Sequence, residues 1–207
     1  MSGIRRRAAI VVLTTACALL ATALPVGPAH AAGADLPPAE LAKLQKLFDA
    51  QVKPLGLRVS RGLLQNLETY EEDPEGTHLA LYVEPRTPEY TDAQYVENFT
   101  KLTRKFVPAV FDRWEGLETF DICQEPVDDP RDVPPPTTQI FVARSALDRV
   151  GNWKKANLAQ LLAASPRVRN VSAGYYVYFT PALRGEPAFT EAAAKAGWTT
   201  GSTAFGH

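Results

Sequence analysis

Cys123 and His78 are the two side chains whose types could form a nucleophile and its base. A thiolate attacks a carbonyl carbon when an imidazole in hydrogen-bond contact takes its proton. In the sheet expected below, another strand separates the two segments, so the side chains should lie on the order of 10 Å apart at about 4.8 Å per strand. Unpaired cysteines are commonly buried as small hydrophobic residues. We therefore predict no catalytic residue, with an intermolecular disulfide at Cys123 as an alternative role.

Three acidic residues raise a second hypothesis of catalysis. Glu84, Asp121 and Glu125 could supply the two carboxyl groups, about 5 to 10 Å apart, that hydrolyse a glycosidic bond. Any acidic chain of this size offers such a trio, and no G-x-S-x-G, S-x-x-K or glycine-rich phosphate motif is present. A small extracellular hydrolase that uses Cys123 or a carboxylate pair is therefore the alternative hypothesis of function.

Metal and cofactor sites have little support in the sequence. Cys123 is the only cysteine after residue 31, which excludes an intramolecular disulfide and a cysteine zinc site in that part of the chain. The acidic, proline-rich segment 125–136 lacks the Asp-x-Asp-x-Asp-Gly spacing of a calcium loop. We predict no cofactor, no metal ligand and an exposed loop at 125–136.

Two periodicities predict the elements that position these residues. Alternation of apolar and mixed residues indicates strands at 78–84, 117–124, 138–144 and 171–179. Apolar stripes at helical spacing indicate helices that begin behind Pro37, after a Thr91–Gln94 capping box and after Asn152, with a short one at 187–196.

From residue 78 to residue 179 the order is strand, helix, strand, strand, helix, strand. We expect an α+β two-layer sandwich, with an antiparallel-rich sheet of about four or five strands and helices on one face. Its finer form would be the ferredoxin-like βαββαβ order, with an N-terminal helix and a hairpin added. The turn sequence at 73–76 predicts that hairpin between 57–70 and 78–84, which conflicts with a 78–84 strand in the middle of the sheet. A helix over 57–70 is the alternative.

The side of the sheet opposite the helices, here called the helix-free face, is the candidate binding surface. Aromatic rings beside a few carboxylates suit a ligand or partner, because rings give a large contact area at low entropic cost. The alternative is a second core layer, in which the N-terminal helix and the 57–70 segment cover this face. The predicted binding residues are Tyr82, Glu84, Asp121, Cys123, Tyr176 and Tyr178.

Residues 1–31 have the pattern of a cleavable signal peptide, bacterial in style. An arginine cluster at 5–7 precedes an apolar run, and Ala29-His30-Ala31 is the small-x-small pattern of a cleavage site. A retained anchor, lipidation at Cys17 and the twin-arginine route fit less well. We predict one secreted domain over 32–207, with a flexible tail at 199–207.

Charge narrows the class of partner. The leader holds three of the 22 basic residues and none of the 23 acidic ones, so 19 basic and 23 acidic residues give the remainder a net charge of −4. A mildly acidic domain argues against nucleic-acid binding. No second apolar run approaches membrane-spanning length. The function predicted from the sequence is a secreted, non-catalytic protein that binds an unknown small ligand or a protein at the cell exterior.

Overall fold

A computed structural model describes residues 37–65, 77–131, 134–167 and 169–198. The predicted leader at 1–31, the turn at 73–76 and the tail at 199–207 lie outside these residues. Within the described ranges the elements are α1 (Pro38–Val52), β1 (Leu57–Val59), β2 (Leu64–Gln65), β3 (Thr77–Pro85), α2 (Asp92–Arg113), β4 (Leu117–Gln124), β5 (Thr138–Ala143), α3 (Leu158–Ala164), β6 (Tyr175–Phe179) and α4 (Pro187–Lys195).

The strands form one sheet of mixed direction. Its order is β1-β3-β4-β5-β6, and β2 pairs with β3 beyond the end of β1. β3 and β4 run parallel, whereas every other pairing is antiparallel. The predicted α+β sandwich with an antiparallel-rich sheet is confirmed.

The ferredoxin-like strand order is not observed. That order would split β3 from β4, but the two are direct neighbours, with Ala80 opposite Asp121 and Tyr82 opposite Cys123. The outer side of β3 is occupied by β1 and β2, both antiparallel to it. The pairing of β2 with β3 agrees with the predicted hairpin, and it is compatible with the fold because β3 lies next to the edge of the sheet.

The helices pack on one face of the sheet, around an aromatic core. Phe48 of α1 contacts Phe106 of α2 with ring centroids 4.9 Å apart. Phe179 of β6 contacts Phe99 of α2 at 4.6 Å and Phe189 of α4 at 4.9 Å. Because α1 belongs to this core, the alternative in which the N-terminal helix covers the opposite face is wrong.

Two predicted boundaries are corrected by local backbone structure. The helix expected after Asn152 begins at Leu158, where Asn157 and Gln160 form a second capping box. The strand expected from residue 171 begins at Tyr175, because 171–173 form a 3-10 turn that Gly174 ends with φ of 70°. A left-handed residue at that position favours glycine.

Side chains cover the outer edge of β6. The backbone N–H of Val177 donates to Ser165 Oγ over 3.0 Å. Arg184 Nε donates to the carbonyl oxygen of Phe179 over 2.8 Å. Both backbone groups point away from β5, so these side chains take positions that a further strand would use.

Thr91→Ala should lower the free energy of unfolding by about 1 kcal/mol, because it removes half of a capping box. Thr91 Oγ1 accepts from the N–H of Gln94 at 3.3 Å, and Gln94 Oε1 accepts from the N–H of Thr91 at 2.8 Å. Guanidinium unfolding measures the loss. Thr91→Ser, which keeps the hydroxyl, should retain most of the stability, and an equal loss in both variants would contradict the capping role.

None of the helices in the described ranges is both long enough and apolar enough to cross a membrane.

Candidate functional site

The six residues predicted to bind lie on the helix-free face, as alternation required. The sheet register pairs Tyr82 with Cys123, and Asp121 lies one row away from this pair. Tyr176 and Tyr178 follow on the far edge strand, opposite Phe141 and Gln139. The structure therefore brings five of the six into two neighbouring rows, and Glu84 lies at the end of β3 beside Arg58.

Most of this face is closed to solvent. Tyr82 is 7% exposed, Cys123 2%, and Asp121 and Tyr176 1% each. Glu84 and Tyr178 are half-buried. The tyrosine rings of Tyr82 and Tyr176 are thus not an open platform, and any ligand that reached them would have to displace side chains above them.

A polar cluster fills the middle of the face. Asp121 Oδ2 accepts a hydrogen bond from Gln139 Nε2 at 2.9 Å. His78 Nδ1 lies 3.0 Å from Thr119 Oγ1, and its Nε2 lies 3.9 Å from Asp121 Oδ1. All four side chains are buried, so this face of the sheet holds a buried polar cluster, here called the polar floor.

Two oxygens of this floor are unsatisfied. Within the described part of the chain, neither Asp121 Oδ1 nor Gln139 Oε1 has a hydrogen-bond partner. A buried polar atom left without a partner costs about 1 to 3 kcal/mol. Such atoms are rare in folded proteins, and where they occur they call for a specific explanation.

A layer of rings lies beside the floor. Phe141 stacks on Tyr176 with centroids 5.4 Å apart and planes at 9°. On its other side, His78 stacks on Phe141 at 6.4 Å and 26°. The three rings come from β3, β5 and β6, so they fix the cluster to the rigid sheet.

Two arginines from loops lie over the tyrosines. The guanidinium of Arg61 is 3.7 Å from the centroid of the Tyr82 ring and forms an ion pair with Glu125. The guanidinium of Arg169 is 5.6 Å from the Tyr176 ring centroid, and its Nε donates to the Tyr176 hydroxyl over 3.3 Å. Both cations favour the ionised form of Asp121. They are positive groups at the border of a buried carboxyl.

The expectation that a strand lies between His78 and Cys123 is wrong, since their strands are adjacent. The two side chains nevertheless remain apart, because Cys123 pairs with Tyr82, four positions along β3 from His78. That offset is about 13 Å at about 3.3 Å per residue. A thiol–imidazole dyad is excluded by register along the strand, not by an intervening strand.

Burial sets the protonation states of the cluster. It raises the pKa of Asp121 to about 7, against the smaller effects of Gln139 and the two arginines. It lowers the pKa of His78 to about 4. It also raises the pKa of the Cys123 thiol well above its ordinary value, and the nearby carboxyl groups of Asp121 and Glu125 add to this effect. At neutral pH the thiol is protonated and therefore a poor nucleophile.

The carboxylates of the hydrolase hypothesis are engaged elsewhere. Glu125 is buried and accepts hydrogen bonds from the Ser60 hydroxyl and from Arg61. Glu84 accepts from Arg58 Nε at 2.7 Å. Asp121 is buried and hydrogen-bonded to Gln139, so each of the three acidic residues is held by a different partner.

Sequence reasoning missed four members of this site: Thr119, Gln139, Arg61 and Arg169. Gln139 shares the alternation of Phe141 in β5, so its position on the helix-free face was available from the pattern. Arg61 and Arg169 lie in irregular segments, where no periodicity indicates the direction of a side chain. Their placement depends on tertiary structure alone.

Among the described residues, no group of three or more His, Cys, Asp and Glu side chains is placed to hold a metal ion. No family model, curated protein or solved structure matches this chain, so its site has to be interpreted from its own geometry.

Proposed function

We propose that this domain is a non-catalytic binding protein that acts outside the cell and takes a small polar molecule on its helix-free face. The observation that carries the proposal is the pair of buried, unsatisfied oxygens on Asp121 and Gln139. A layer with a purely structural role would be apolar or fully hydrogen-bonded, because half-satisfied polar groups destabilise a core. A bound ligand would supply the absent partners.

The chemistry of the site selects the ligand class. Gln139 Oε1 can only accept, so the ligand has to donate a hydrogen bond there. Arg61 and Arg169 lie on the same side of the sheet and favour a negative charge. A small molecule with an amine or hydroxyl donor and a carboxylate, such as an amino acid or a hydroxy acid, combines both features.

The arginines also suggest a route of entry. Arg169 is exposed and Arg61 is about one-quarter exposed, although the tyrosines beneath them are buried. A stack between an exposed arginine and an aromatic ring contributes on the order of 0.5 to 1 kcal/mol. Rotation of Arg61 would also leave buried Glu125 without its ion-pair partner, whereas rotation of Arg169 breaks one hydrogen bond to Tyr176, so entry beside Arg169 requires less free energy. The leader predicted at 1–31 is what supports action outside the cell.

No observation favours the hydrolase. The thiol of Cys123 is buried and protonated, and His78 lies too far along β3 to act as its base. Asp121, Glu84 and Glu125 each have a different structural partner.

Titration calorimetry of the protein against the common amino acids and 2-hydroxy acids tests the proposal. We expect at least one compound to bind, and Gln139→Leu to weaken that binding at least about tenfold, since it removes the accepting oxygen. Gln51→Leu, in α1 on the other side of the sheet, is the matched control and should leave binding unchanged. Failure of every compound to bind, or equal affinity in Gln139→Leu and the parent, would refute the proposal.

A further inference from the structure

The His78–Asp121 pair is a titratable unit enclosed in the sheet. The two residues come from adjacent parallel strands, and their facing atoms, Nε2 and Oδ1, are 3.9 Å apart. Thr119 holds the other imidazole nitrogen and Gln139 holds the other carboxyl oxygen, so these side chains fix the orientation of the pair. Each side chain is 1% exposed. We propose that the pair holds a single proton in the folded protein, as a neutral carboxyl facing a neutral imidazole within the helix-free face.

Occupancy by one proton follows from the cost of buried charge. A second proton would leave an imidazolium in the sheet, and loss of the first would leave a carboxylate there; both charges are disfavoured by burial. The pKa of about 4 for His78 and of about 7 for Asp121 bound the interval in which one proton is held.

The charged and titratable groups around the pair do not change the conclusion that it holds one proton. Arg61 forms an ion pair with Glu125, and Arg169 is a further cation that eases ionisation of Asp121. The pKa values of Tyr176 and Cys123 are both raised by burial, so both stay neutral across the interval. Among the described residues, the titratable and charged groups that act on Asp121 are Cys123 on β4, Tyr176 on β6 and the loop residues Arg61 and Arg169. Tyr82 and Glu125 contact Arg61 at the border of the pair.

The two residues have opposite effects on stability. The raised pKa of Asp121 means that the folded state takes up a proton below about pH 7, whereas the unfolded chain does so only near pH 4, so Asp121 makes the fold more stable as the pH falls. The lowered pKa of His78 means that the unfolded chain takes up its proton first, below about pH 6.5, so His78 makes the fold less stable as the pH falls. Within this interval the two residues together bind one proton in the folded state and one in the unfolded state. Their opposite effects on the pH dependence of stability therefore cancel.

Single substitutions should reveal the separate effect of each residue on the pH dependence of stability. In guanidinium unfolding between about pH 4.5 and 6.5, we expect the folding constant of Asp121→Asn to fall by up to about tenfold per unit of acidification, relative to the double variant His78→Gln/Asp121→Asn. That of His78→Gln should rise by the same factor, and the parent should run parallel to the double variant. Single variants that both run parallel to the double variant would overturn the proposal.

Infrared spectroscopy of the unsubstituted protein gives a test that needs no variant to fold. At about pH 6 we expect the C=O stretching band of a protonated carboxyl group, which disappears as the pH rises through about 7. Asp129→Asn is the matched control and should keep the band, because Arg131 lowers the pKa of Asp129 to about 2 and so keeps it ionised at pH 6. Absence of the band in the parent would overturn the assignment. Neither test involves a ligand, so this inference and the binding proposal can fail separately.

Discussion

We expect Cys123 of the folded protein to react with a thiol reagent at least about a thousandfold more slowly than the same residue after unfolding. Two effects combine. The side chain is 2% exposed, and burial together with the carboxyl groups of Asp121 and Glu125 keeps the thiol protonated. Reaction then depends on opening of the sheet. Release of a coloured thiolate from an aromatic disulfide at about pH 8, with and without guanidinium, measures the ratio.

A Cys17→Ser background makes the measurement specific, because the chain has two cysteines and Cys123 is then the only thiol. Glu84→Gln provides a matched control at the border of the same face and should not increase the rate. Rapid modification of Cys123 in the native state would contradict the closed face, and it would revive the hydrolase hypothesis by showing an accessible thiolate.

The second large effect, a loss of stability, should come from a substitution where β6 packs against α2 and α4. Phe179→Ala is expected to lower the free energy of unfolding by about 3 to 5 kcal/mol, because it removes a fully buried ring and leaves a cavity. The ring contacts Phe99 of α2 and Phe189 of α4, so the loss affects three elements at once. Guanidinium unfolding monitored by circular dichroism provides the measurement.

Leu47→Ala is the control for that substitution. Leu47 is 41% exposed on α1, and its replacement should change stability by less than about 0.5 kcal/mol. A loss at Phe179 of under about 1 kcal/mol would mean that the aromatic contacts between β6, α2 and α4 do not hold the domain together.

The faces of the sheet could be predicted from the sequence, whereas the order of the strands could not. Alternation in β3 placed Leu79 and Leu81 towards the helices and Tyr82 on the opposite side, as observed. A right-handed crossover through α2 is compatible with β4 either next to β3 or one strand away, and local periodicity does not distinguish the two. The only indication of the strand order in the sequence was the conflict between the predicted hairpin and a central position for β3.

The candidate site, like the fold, could be predicted only in part. The types of residue on the helix-free face followed from alternation, but their burial did not, because it depends on loop side chains such as Arg61 and Arg169. The contact between His78 and Asp121 required the parallel register of β3 and β4, which sequence reasoning had separated. Contacts between strands could therefore not be predicted where the wrong neighbouring strand was assigned.

The side chains at the outer edge of β6 limit how the protein can associate with others. An extended peptide that joined this edge would have to displace Ser165 from the N–H of Val177 and Arg184 from the carbonyl of Phe179. Two existing hydrogen bonds would be exchanged for two new ones, so strand addition gains little there. The molecule is thereby protected at this edge against edge-to-edge pairing with a strand of another molecule.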